Sequence, residues 1–203
     1  GEIPNFVKVD KVGREMIHLG CGPTYLKGWT NVDSSQGEST SFFMATSEEG
    51  QKLLLEHSVD SISSYYTILP PEKGKFRTWC KETVVDEDCD IQNFHRPTGS
   101  VSAICMFHCL EHFSYIDADK LLRRFYDMLH VGGRLFIGLP NIYFMVEVFN
   151  KYTEYFPETE HQLFKNLRYG SQDDNLSFHK SGWREDQIIS ELKRIGFVIK
   201  KIP

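Results

Sequence analysis

Ile17-His18-Leu19-Gly20-Cys21-Gly22-Pro23, with Gly28-Trp29-Thr30-Asn31-Val32-Asp33 close behind it, is the stretch on which the reading of this chain turns. A short apolar run breaks into two glycines one residue apart, and a second short strand then ends on a carboxylate. Parallel sheets present pockets for nucleoside-shaped ligands in this way, at the carboxyl ends of their strands. Glycine has no Cβ, so such a loop turns tightly and lets its backbone approach a ligand. An ionised Asp33 only accepts hydrogen bonds, and a ribose offers two hydroxyl donors. A loop with incidental glycines before an unrelated aspartate carries the same letters, so the flanking sequence has to decide.

Working outward, strands are expected at Met16 to Leu19 and at Thr30 to Asp33, joined by a passage too short for a long crossover helix. Ser34 to Cys89 is polar and loop-prone, and reads as an insertion after the second strand. It holds one helix, Ser47 to Glu56, capped by Ser47 with Glu48 and Glu49 in its first turn. Val101 to Phe107 is a continuous apolar run, the pattern of a parallel strand covered on both faces. Leu121, Leu122, Phe125, Met128 and Leu129 then share one helical face, in a helix starting near Asp117 and ended by Gly132-Gly133. Arg134 to Leu139 is the next strand. Trp183, Ile188, Leu192 and Ile195 mark a further amphipathic helix stopped by Gly196, and Phe197 to Ile202 a last strand. Strands alternating with helices indicate an α/β fold: one domain over residues 1–203, with the insertion at about 34–89.

Composition limits the partners. The 203 residues are 40% hydrophobic and 13% aromatic, with a formal net charge of −5. No block of lysine and arginine is present to follow a phosphate backbone, which disfavours nucleic acid. The apolar stretch from Leu135 to Phe149 is interrupted by Gly138, Pro140, Asn141 and Glu147 and is too short to span a membrane. No signal-peptide pattern stands at the amino end, and five cysteines are poor material for a disulfide framework. A cytoplasmic location is expected.

Three separated segments resemble one family. Leu19-Gly20-Cys21-Gly22-Pro23 with Gly28-Trp29-Thr30-Asn31-Val32-Asp33 is similar to the first cofactor motif of class I S-adenosylmethionine-dependent methyltransferases, in the subgroup reading LGCG…GWxNVD. His108-Cys109-Leu110-Glu111-His112-Phe113 resembles that subgroup's HxLEHF signature. Leu129 to Leu135 with Leu139-Pro140-Asn141 resembles the lead-in to its fifth strand, and Tyr169-Gly170, His179-Lys180 and Gly196-Phe197 follow in the family's order. The resemblance covers roughly residues 15–33 and 90–202. It implies a Rossmann-like, doubly wound, mostly parallel sheet and S-adenosylmethionine as cofactor. Leu19, Gly20, Cys21 and Gly22 would lie along the methionine part, Asp33 would hold the ribose hydroxyls, and Asp90 with Ile91 would meet the adenine. His108 would stand beside the reactive methyl. The chain departs from the family at His18, where many members carry an acidic residue.

Methyl transfer from a sulfonium is an in-line substitution, and a base is needed only for a poorly nucleophilic acceptor. His108 and His112 are the candidate catalytic bases, because imidazole titrates near neutrality; His112 also suits a packing role in the turn, oriented by Glu111. His179, His161 and Tyr143 are further candidates to face an acceptor. Cys105, His108, Cys109 and His112 have a zinc-like CxxHCxxH spacing, but Cys105 lies within a strand, whose side chains alternate between faces, so no metal is expected there. Tyr143, Phe144, Phe149, Tyr152, Tyr155 and Phe156 are expected to pack as core or lid rather than to line a pocket; Tyr65, Tyr66 and Trp79 in the insertion read the same way. No sequence matching [DN]PP[FY] follows the fourth strand, and the Pro-Cys pair of cytosine methylation is lacking. The expected reaction is methylation of an oxygen or nitrogen on a small molecule or glycan. A catalytically inactive binding or regulatory module and a protein methyltransferase remain as alternatives.

Overall fold

The computed structural model describes residues 8–37, 41–58, 60–62, 82–152, 168–172 and 174–200. Tyr65, Tyr66, Trp79, Cys80, Tyr155, Phe156 and His161 lie outside these, and the side chains of Phe149 and Tyr152 are likewise not described. The chain divides into two compact units, one formed by residues 1–106 with 128–136, the other by 107–127 with 137–203.

The first unit is built on a parallel sheet. β1 (Glu15–Leu19) pairs with β2 (Thr30–Asp33) on one side and with β6 (Val101–Phe107) on the other, both parallel. β3 (Ser41–Met44), α1 (Glu48–His57), β4 (Glu82–Val85) and β5 (Glu87–Asp88) come between β2 and β6 in the chain. The five-stranded order is β5-β2-β1-β6-β7, where β7 is Leu129–Gly138. The chain therefore builds outward from β1 in one direction and resumes on its other side with β6. Such a switch point is where open α/β sheets place a ligand, outside the strands' carboxyl ends. β6 is buried at six of its seven positions, which is why it reads as an unbroken apolar run.

Among the described residues between β2 and β5, a second, two-stranded sheet forms. β3 and β4 pair in parallel, and α1 packs on them through a cluster of Tyr25, Ala45, Leu54 and Val84. The Ser47 hydroxyl accepts from Gly50 N–H at 3.0 Å and caps α1 as its sequence predicts. Glu87 and Asp88 pair with Val32 and Asp33, so the end of the segment read as insertion is an edge strand of the main sheet.

In the second unit a 3₁₀ turn (Leu110–His112) leads into α2 (Tyr115–Met128), whose Leu121, Leu122 and Phe125 are buried. α2 begins two residues earlier than expected, because Ser114 caps it: its hydroxyl accepts from Asp117 N–H and donates to the Asp117 carboxylate. It also ends earlier, at Met128. Gly132 does adopt a left-handed φ of 86°, but inside β7, where Gly133 lets the chain pass close to Leu129 and His130. α3 (Ile142–Tyr152) follows, then α4 (Glu185–Ile195), closed by Gly196 at φ 125°. Residues 197–200 take no strand pairing, against expectation. Phe197 instead packs edge-on against Tyr126 with ring centroids 5.0 Å apart, and Val198 points into solvent. Of the aromatic cluster expected to form core or lid, Tyr143 and Phe144 are each 62% exposed and so are not core residues. The Tyr143 ring carries the Arg184 guanidinium over its face. No described helix is long and apolar enough to cross a membrane.

Candidate active site

The glycine loop follows directly from β1. Gly20 and Gly22 take φ values of 62° and 50°, a region that costs side-chain-bearing residues energy. Gly20 and Cys21 donate their N–H groups to Val32 O, which holds the loop against the end of β2. Gly22 N–H donates to Asp33 Oδ2 at 2.7 Å, and Ser34 N–H to Asp33 Oδ1. Nothing stands within 4 Å of where a Cβ on Gly22 would be, so the loop is open at that glycine. An ionised carboxylate accepts at two oxygens with about four lone-pair sites, which is the chemistry a vicinal diol requires. The residues present therefore fit the ribose end of S-adenosylmethionine.

The other expected cofactor residues divide by what they expose. Leu19 and Cys21 are buried, the Cys21 thiol directed at Val84 O, so they offer backbone rather than side chain. Asp90 follows β5 and accepts from Gln92 N–H in a tight turn, while Ile91 beside it is buried. The first unit thus brings Leu19, Gly20, Cys21, Gly22, Asp33, Asp90 and Ile91 to the carboxyl ends of β1, β2 and β5.

A polar hub beneath this loop was not foreseen. Asn31 Oδ1 accepts from Leu26 N–H, and its amide donates to Leu26 O, Trp29 O and Asp86 Oδ2. Asp86 in turn accepts from Asn31 N–H and the Tyr25 hydroxyl, both at 2.8 Å, and from Lys8. Burial and the Asp86 carboxylate raise the Tyr25 hydroxyl pKa, keeping it a donor. His18 joins the hub through Nδ1, 2.9 Å from Asn31 Oδ1. That oxygen accepts, so Nδ1 carries the proton. Full burial depresses the His18 pKa to about 4 and holds the ring neutral. The residue that departs from the family pattern is therefore a core group fastening β1 to β2 through Asn31. The GWxNVD spelling supplied the signal, since its asparagine is the hub.

In the second unit, His108 is the first residue after β6. Its φ of 50° is strained for a residue with a Cβ, and its N–H donates to Gly138 O. The side chain is half exposed, with Nδ1 3.7 Å from Glu111 Oε1. Glu111 itself is 2% exposed. His112 donates from Nδ1 to Phe178 O at 3.2 Å, because a carbonyl oxygen only accepts; Nε2 is left with its lone pair. Its ring meets His179 edge-on at 4.9 Å. His108, His112 and His179 thus all belong to one corner. Cys105 is fully buried in β6, which raises its thiol pKa, and Cys109 is buried as well.

The chain matches the methyltransferase-domain family over residues 5–202 and belongs to it. It is a methyltransferase domain, and its central sheet is mostly parallel. Among solved structures it is similar to an S-adenosylmethionine-dependent methyltransferase from Mesorhizobium loti, with 16% identity and a TM-score of 0.46, over 96% of this chain and 79% of that one. It is also similar to the S-adenosylmethionine-dependent methyltransferase SibL in its apo form, with 14% identity and a TM-score of 0.42, over 90% of this chain and 43% of that one. A Haemonchus contortus phosphoethanolamine N-methyltransferase 2, in complex with phosphomonomethylethanolamine and S-adenosylhomocysteine, aligns at 12% identity and TM-score 0.39, over 91% and 34% of the respective chains. The chain thus spans less than half of the last two. No curated protein matches it.

Proposed function

We propose that this domain methylates an oxygen or nitrogen of a small molecule or glycan, with His108 as the base when the acceptor is a hydroxyl. The observation that carries the reading is the backbone of His108. A left-handed φ at a residue with a Cβ costs on the order of 1–3 kcal/mol, and such strain concentrates where a side chain must be aimed. It presents the imidazole at the carboxyl end of β6 with the buried Glu111 carboxylate behind Nδ1. An imidazole backed by a carboxylate keeps Nε2 as the proton acceptor, the pairing a weakly nucleophilic hydroxyl needs.

S-adenosylmethionine, when bound, supplies a methyl group activated by its sulfonium. On this reading Asp33 accepts from both ribose hydroxyls, the Gly20–Gly22 backbone lies along the methionine end, and Asp90 accepts from the adenine amine beside Ile91. His108 takes the acceptor's proton. His112, whose Nε2 also bears a lone pair, is the second base candidate. The acidic balance of the chain agrees with an acceptor other than nucleic acid.

The test is methyl transfer from labelled S-adenosylmethionine to panels of sugars, glycolipids and small alcohols and amines, with total protein as a third arm. Label should enter a small molecule or glycan. For a hydroxyl acceptor, His108→Asn should lower kcat by about 10²- to 10⁴-fold with little change in cofactor Kd. Label confined to protein, or an unchanged kcat in that variant, overturns the proposal.

A further inference from the structure

The geometry points to a site for a divalent transition metal, formed by Glu111, His112 and His179. One ligand atom from each lies within 4.8 Å of the others. None of the cysteines in the CxxHCxxH spacing belongs to this group, and His179 stands 67 residues beyond His112 in the sequence, so the local motif does not reveal it.

Three independent observations support a cation there. Glu111 is almost fully buried, and its Oε2 has no hydrogen-bond partner among the described residues. A buried carboxylate oxygen left without a partner is costly, and a cation is one of the few things that offsets this. His112 is held in the tautomer that ligation requires: Nδ1–H donates to Phe178 O and Nε2 keeps its lone pair. Metal-bound histidines almost always donate their other ring N–H to such a backbone carbonyl or a carboxylate. The third ligand is carried on a tethered loop. Lys180 and Ser181 donate backbone N–H groups to Glu111 O at 2.8 and 3.1 Å, and His179 N–H donates to Tyr169 O at 3.0 Å. Gly170 turns tightly under that loop, where a Cβ would come within 1.7 Å of Ser177 O.

Ligand chemistry selects the ion. Two neutral imidazoles and one carboxylate suit Zn²⁺, Co²⁺ and their first-row neighbours, whereas Mg²⁺ and Ca²⁺ prefer oxygen alone. Bonds of about 2.1 Å in a tetrahedral site need ligand atoms ~3.4 Å apart, so the three side chains close by roughly an ångström on binding. Three protein ligands leave a coordination position for an oxygen donor such as a hydroxyl. The site shares Glu111 and His112 with the proposed catalytic corner, so an ion bound there takes His112 Nε2 out of the base role and leaves His108, whichever acceptor is used.

Co²⁺ reports both binding and geometry. After chelation and removal of the chelator, the protein should take up one Co²⁺ per chain with a visible d–d band, should release it to Zn²⁺, and should keep it in millimolar Mg²⁺. Glu111→Gln, close in shape to the native residue, and His179→Ala should each weaken Co²⁺ binding by about 100-fold or more, with thermal melting confirming a folded chain. His95→Ala, at an exposed histidine elsewhere, should leave it unchanged. Failure to bind Co²⁺ below millimolar concentration, or folded Glu111 and His179 variants that bind as the wild type does, overturns the assignment. Both readouts are independent of methyl transfer.

Discussion

Protonating His18 should destabilise the fold as pH falls from about 6.5 toward 4. The ring is fully buried and donates from Nδ1 to Asn31 Oδ1, so a second proton would go on Nε2 and place a full positive charge away from solvent. Its pKa is about 4 in the folded chain against 6.5 in the reference state. The unfolded chain therefore binds the extra proton first, and stability falls as pH drops from 6.5 toward 4. Above pH 6.5 the contribution is flat. The full span is worth about 3 kcal/mol, of which ~2 kcal/mol is lost between pH 7 and pH 5. Urea unfolding at pH 7, 6 and 5, compared between the wild type and His18→Asn, isolates the effect, since other titrating groups are common to both. Asparagine preserves a donor near the Nδ1 position but cannot be protonated. The variant will be less stable throughout because it leaves a small cavity, so the difference in pH slope is the quantity to read. Equal slopes in the two proteins would refute the argument.

Asp33→Asn should weaken S-adenosylmethionine by about 10- to 100-fold in calorimetric titration, since a charged acceptor is worth about 1.5–3 kcal/mol more than its loss leaves. Asparagine keeps one carbonyl oxygen for either the Gly22 or the Ser34 N–H, so some stability is lost as well; an unaltered Kd would remove Asp33 from the ribose site. Asn31→Ala strips partners from Leu26, Trp29, Asp86 and His18 at once. It should cost about 3–5 kcal/mol in urea unfolding, the range for breaking a buried polar network, and a loss under 1 kcal/mol would show that the hub is not structural.

Local pattern was enough for the elements whose burial is continuous or sharply capped. β2 and β6 fall where Thr30 to Asp33 and Val101 to Phe107 predict them, and α1 starts behind the Ser47 cap. In each case the deciding interactions are among near neighbours or act on every residue of the run alike. α2 was displaced at both ends because capping by Ser114 outweighed the apolar face, and because the left-handed glycine was needed for a passage in β7. Residues 197–200 have strand-like letters, yet a strand exists only where another strand meets it.

Sequence alone determined β1, β2, α1, β6 and the amphipathic helices α2 and α4 in their order, and the glycine loop that ends β1 ahead of the Asp33 carboxylate. Only the tertiary structure decided that His18 is a neutral core histidine, that Asp86 reaches back 55 residues to Asn31, and that Glu111 and His112 meet His179. Hydrogen-bond partners and converging ligands are set by where distant segments cross. Spacing along the chain encodes neighbours on a helix or strand, and carries no record of those crossings.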